Sequence, residues 1–184
     1  MARYGAFLRG VNLGSRRRVS SGELRDCFTG LGFEDVQTFR TSGNVAFAGA
    51  GRRERITSRI ETGLREMLGY DVTVFLRTAA EVRAIAAHEP FVAKDMRASQ
   101  GKLQVSLLGA KPSAKARRAV LDLATQDDRL AFAARELYWL PRGGMRDSAL
   151  DLKAIDGLLG PATMRTKDTM DLLAERFFGA PTGA

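Results

Sequence analysis

The chain has 184 residues, 45% of them hydrophobic and 27% charged, and a formal net charge of +8 at pH 7. That length can bury one core or two small ones without covalent staples, and the composition excludes a disordered or fibrous chain. A single cysteine, Cys27, and a single histidine, His88, exclude an intramolecular disulfide and leave too few ligands for a Cys/His metal site. No apolar run is long enough to span a bilayer and no signal-peptide pattern opens the chain, so the sequence predicts a cytoplasmic protein. The charge is uneven: residues 1–77 carry 13 basic and 8 acidic residues, and residues 78–184 carry 16 and 13. A basic bias of this kind favours polyanions as partners of the first half.

Residues 4–8 form a short apolar run closed by Arg9-Gly10, the pattern of a buried strand. Ser20 and Glu23 make a capping box ahead of Leu24, Cys27, Phe28 and Leu31 at helical spacing, and Gly32 stops that helix. Residues 36–40 and 45–48 read as strands joined by Thr41-Ser42-Gly43-Asn44, whose Gly and Asn tolerate positive φ. Ile56, Ile60, Leu64 and Met67 line one face of a second helix, with Glu61 and Arg65 as an i,i+4 pair on the solvent side. Gly69 ends it, and residues 71–77 are a fourth strand. The order β-α-β-β-α-β is that of a ferredoxin-like split βαβ.

Thr78 and Glu81 form a second capping box, opening a short helix that runs through His88 and stops before Pro90. Residues 89–101 are expected to be a connecting loop, after which the order recurs. It comprises a strand at 103–108, a helix from Ser113 with Ala116, Val120 and Leu123 inward, and strands at 129–133 and 137–140. A helix at 150–159 closed by Gly160-Pro161 follows, then a short strand at 162–166 and a last helix at 168–178 presenting Met170, Leu173 and Phe177. The two halves show no clear sequence self-similarity, so duplication rests on element order alone. The expected fold is α+β, with two ferredoxin-like (βαββαβ-type) subdomains bearing antiparallel sheets. These are residues 1–77, a helix-and-loop linker at 78–101, and a βαββα-type subdomain with a terminal helix at 102–184.

Residues 9–18 lead from a strand into a helix, where amides and the helix dipole favour an anion. They hold neither a Walker loop nor a dinucleotide GxGxxG. In a split βαβ this loop and the turn at 41–44 can meet at one sheet end, which makes Arg9, Asn12, Ser42 and Asn44 the candidate ligand-binding set. Arg16, Arg17, Arg18, Arg52 and Arg53 are candidate contacts to an anion or nucleic acid. Arg52 and Arg53 oppose the dipole of the helix they open and need a separate reason to be there. A solvated surface connection and plain turn chemistry are the blander accounts of the same segments. Tyr4, Phe39, Phe47 and Phe75 read as core rather than as a base-stacking platform, Cys27 as structural, and His88 as a helix C-terminal cap. Residues 143–148 and 165–169 are weaker anion-site candidates, equally explained by capping from Asp147 or Thr166.

Residues 4–14, Glu23-Leu24-Arg25, Gly32-Phe33 and residues 41–47 together resemble the uncharacterised bacterial family catalogued as domain of unknown function 1697. Its pattern looks like LLRGINVGG, AELR, LGF and QSGNVVF. The resemblance implies two ferredoxin-like subdomains and no established activity. Further on, the family shows GRSKL and TTRNWxTV. Here residues 144–150 lack the lysine and residues 163–169 lack the Asn-Trp pair, so the resemblance carries a site over only in the first half, where Arg9, Asn12, Ser42 and Asn44 stand intact. The leading expectation is a module that binds an anionic partner, nucleic acid or a phosphorylated small molecule, at the loop after the first strand and the turn at 41–44. The alternatives are a small-molecule hydrolase or transferase in the same cleft, for which the sequence supplies no base, and a structural or oligomerising protein. No metal is expected, and the sequence leaves any cofactor unknown.

Overall fold

The computed structural model describes residues 1–11, 18–40 and 43–179. The first half contains β1 (Ala2–Arg9), α1 (Ser21–Gly30), β2 (Glu34–Phe39), β3 (Asn44–Gly49), α2 (Arg53–Leu68), β4 (Thr73–Thr78) and α3 (Ala79–Ala87). The start of α1 follows from its capping box: Glu23 N donates to Ser20 Oγ at 3.1 Å and Ser20 N donates to Glu23 Oε2 at 2.8 Å. At the start of α3, Thr78 N donates to Glu81 Oε2 at 2.8 Å and Glu81 N to Thr78 Oγ1 at 3.2 Å. Gly69 closes α2 in the left-handed region at φ 75°.

The four strands form an antiparallel sheet in the order β2-β3-β1-β4, the ferredoxin-like arrangement. One face carries Tyr4, Ala6, Leu8, Val45, Phe47, Val74 and Leu76, which pack against Leu24 and Phe28 of α1 and Ile56, Ile60 and Leu64 of α2. Phe47 lies at the centre of an aromatic cluster, with ring centroids 5.6 Å from Tyr4, 5.4 Å from Phe28 and 4.6 Å from Phe33. Each fully buried side chain of this size stabilises the fold by about 1.5–3 kcal/mol. The other face is buried at its centre. Register aligns Phe39, Asn44, Phe7 and Phe75 in one row across the strands, and Gln37, Ala46, Gly5 and Arg77 in the next. Phe7, Asn44, Phe75 and Arg77 are all at most 2% exposed.

The second half contains α4 (Ala93–Ala98), β5 (Gln104–Leu108), α5 (Ala114–Leu121), β6 (Asp128–Ala133), β7 (Glu136–Pro141), α6 (Leu152–Leu159), β8 (Ala162–Thr166) and α7 (Lys167–Leu173). A π-helical turn, Ala174–Phe178, prolongs α7. Its sheet has the order β6-β7-β5-β8, the same topology as the first. Val120, Leu137, Trp139, Leu150 and Ile155 make its helix-side core. By contacts the chain forms two units, Ile85–Leu172 and Met1–Ala84 together with the segment from Leu173 on.

Local differences from expectation have tertiary causes. The segment 89–101 is not all loop, since α4 forms within it and Asp95 pairs with Arg129 at 3.1 Å. Glu61 does not reach Arg65: its carboxylate accepts from Val74 N at 3.0 Å, tying α2 to β4, and Arg65 lies 3.8 Å from Asp71. Met67 is 39% exposed, whereas Gly63 is buried under Leu31. The cap of α6 is Asp151, which accepts from Ala154 N at 2.8 Å, rather than Asp147.

The structure also reveals a sequence parallel between the halves. β4 ends in Leu76-Arg77-Thr78 and β8 in Met164-Arg165-Thr166. Each Arg faces the equivalent residue of the first strand of its sheet, Gly5 or Val105, and each Thr caps the helix that follows. Burial pulls the Arg165 guanidinium down to about 10, so it keeps its charge at neutral pH.

Gly43 sits at φ 71°, and a Cβ there would come within 2.6 Å of Val11 and 3.0 Å of Leu8. We expect Gly43→Ala to cost about 1–3 kcal/mol, from positive φ plus overpacking. Gly157, inside α6 with open space around it, should gain about 0.5–1 kcal/mol when changed to Ala. Urea unfolding of both variants measures the contrast.

Candidate functional site

The end of the first sheet where β1 stops and β3 starts is held closed by backbone. Leu8 N donates to Gly43 O at 2.8 Å, and the absent side chain of Gly43 lets the turn lie against Leu8 and Val11. The strand-exit loop and the hairpin turn therefore start from one point. Asn44 is 1% exposed, and its Nδ2 donates to Phe39 O at 3.0 Å, bracing the two limbs of the hairpin. Arg9 is exposed, two residues along β1 from the Phe7–Asn44 pair and on the same face of the sheet. Asn12, Ser42, Arg16 and Arg17 lie outside the described residues. Arg18 is exposed immediately before the buried Val19 and the Ser20 cap.

Arg52 and Arg53 stand at the opposite end. They follow Gly49, which pairs with Ala2 at the start of β1, so the six-residue length of β3 separates them from Arg9 and Asn44. At about 3.3 Å per residue that is about 17–20 Å. The Arg53 guanidinium donates to Leu76 O at 2.7 Å and to Glu81 Oε2 at 2.8 Å. This contact supplies the separate reason for a cation in the first turn of α2: Arg53 ties it to the capping box of α3. Arg52 is exposed and makes no side-chain cap.

Two arginines that sequence reasoning did not select stand beside the first group. Arg40, in the left-handed region at φ 55°, places its guanidinium 5.3 Å from the Phe39 ring centre. Arg176 comes from the π-helical turn and lies 6.0 Å from Phe39 and 5.4 Å from Phe177, whose rings meet edge-on at 5.8 Å. Arg83 anchors that turn through Phe178 O at 3.0 Å. Guanidiniums held over aromatic faces lose less side-chain freedom on meeting a ligand. Arg40 was read as the last residue of a strand. Arg176 gives no sequence signal at all, because the contact joins residues far apart in the chain.

The reactive side chains lie elsewhere or are muted. Cys27 is half-buried, and burial, then the nearby Glu66 carboxylate, push its thiol up, away from the nucleophilic thiolate. His88 belongs to the second unit, where its ring packs 4.9 Å from Tyr138. Among the described residues no group of three His, Cys, Asp or Glu could hold a metal, and no helix is long and apolar enough to cross a membrane.

Residues 1–138 match the model of the protein family of unknown function DUF1697. The chain belongs to that family. The matched stretch includes β1, the 41–44 turn and the Gly43 contact, whereas residues 144–150 and 163–169 lie beyond it. A solved structure of a conserved bacterial protein from Streptococcus pneumoniae shares 21% identity, covers 96% of this chain and 98% of its own, and superposes with a TM-score of 0.73. That likeness extends the fold of this DUF1697 member over nearly the whole chain. No curated protein matches it.

The Arg53–Glu81 pair is about one-third exposed on both sides, so its coupling should be modest. A double-mutant cycle with Arg53→Met and Glu81→Gln is expected to give about 0.5–1 kcal/mol. A value near zero would show that the pair with Glu81 does not hold Arg53 in place.

Proposed function

We propose that this protein is a binding module for a phosphate-bearing anionic partner, taken up at the end of the first sheet where β1 and the hairpin turn meet. The observation that carries the reading is the clustering of Arg40 and Arg176 about the Phe39 ring, in the same row as Asn44 and on the same face as Arg9. Guanidinium groups bind phosphate oxygens in pairs, with geometry a lysine cannot match. All 13 basic residues among positions 1–77 are arginine. In the sequence Arg16, Arg17 and Arg18 follow β1 within nine residues and add three positive charges to this part of the chain. Arg53, tied to Glu81, is left out of the site, and Arg52 lies at the far end.

The test is affinity for a single-stranded oligonucleotide and for a nucleoside triphosphate, measured by fluorescence anisotropy across a salt series. Binding should weaken steeply with salt, and Arg9→Ala and Arg40→Ala should each lower the salt slope by about one, whereas Arg52→Ala should not. Loss of only the oligonucleotide or only the nucleotide arm distinguishes the two kinds of partner. Absence of binding at low salt, or an equal effect of Arg52→Ala, would overturn the proposal.

A further inference from the structure

The second unit holds a cleft of about 580 Å³ between the segment after α3, α4, the entry to β5 and α7. This lies within the usual range for small-molecule sites. Its lining includes Lys167, whose side chain is 14% exposed. The Lys167 ammonium donates to Ala86 O at 2.6 Å and to Asp171 Oδ1 at 2.6 Å, and its backbone N donates to Leu103 O at 2.8 Å. An ammonium has three N–H donors. Two are taken, and the position of the third is set by the other two.

Phe91 and Met96 supply an apolar wall, with Met96 39% exposed. The remaining charged side chains of the lining are balanced, Arg97 and Lys102 against Glu89 and Asp168, while Lys167 and Asp171 neutralise each other. The sheet end in the first unit gathers arginines, whereas this cleft offers both signs beside an apolar surface. A phosphate would gain attraction from the cations and meet repulsion from the carboxylates. A small zwitterion gains from both.

We propose that this cleft binds a free α-amino acid with a large apolar side chain. Its carboxylate accepts the third Lys167 N–H with help from Lys102 or Arg97, its ammonium meets Asp168 or Glu89, and its side chain lies along Phe91 and Met96. The inference is independent of the anion site.

Calorimetric titration of the full chain with L-phenylalanine, 3-phenylpropionate and phenethylamine separates the two charges. L-Phenylalanine should bind saturably, and loss of either charge should weaken binding about tenfold or more. Lys167→Met should abolish carboxylate recognition. That variant also removes a tie between α3 and α7, so Asp168→Asn, an exposed change, is the second probe. It should weaken L-phenylalanine and leave 3-phenylpropionate unchanged. Failure of L-phenylalanine to bind, equal binding of L-phenylalanine and 3-phenylpropionate, or indifference to both substitutions would overturn the proposal.

Discussion

The first unit turns on a close approach that only glycine permits. At Gly43 the hairpin turn presses on Leu8 and Val11, and Leu8 N reaches Gly43 O. Any side chain there would press on Leu8 and Val11, and one of these contacts would have to give. Asn44 braces the other limb through Phe39 O, so backbone contacts fix where the chain carries Arg40 and Arg9. A site built in this way is rigid where the chain is anchored.

What the sequence made legible was local. Capping boxes, helix-stopping glycines and the alternation of buried strand residues are encoded within a few positions, and Ser20–Glu23, Thr78–Glu81, Gly69 and β8 stand where those signals put them. The choice between competing partners was not legible. Glu61 had an arginine at i+4 but bonds a strand amide instead, because packing α2 on the sheet brings Val74 N to it. Arg53 looked electrostatically misplaced until its partner at Glu81 was visible. Arg176 joined the candidate site through a contact with Phe39 that no local pattern announces.

The two halves share more than element order. A buried or half-buried arginine followed by a capping threonine ends the fourth strand of each sheet, at matching register. Sequence comparison of the halves missed this, since two residues in a background of substituted hydrophobics carry little signal without the register to align them. The same topology supports different surfaces. One unit gathers arginines at a sheet end, and the other has a charge-balanced cleft around a half-buried lysine. Fold alone therefore does not set what either unit binds.

In the proposed function, anion recognition is localised at the Gly43 end of the first sheet. The most direct measurement is an amide-resolved NMR titration of the full chain with a nucleoside triphosphate. With recognition at that end, the amides of Gly10, Val11, Arg40, Gly43 and Asn44 shift together along one saturating curve while those near Arg52 stay still. Shifts spread evenly over the arginines of the chain, or confined to the α2 end, would contradict it.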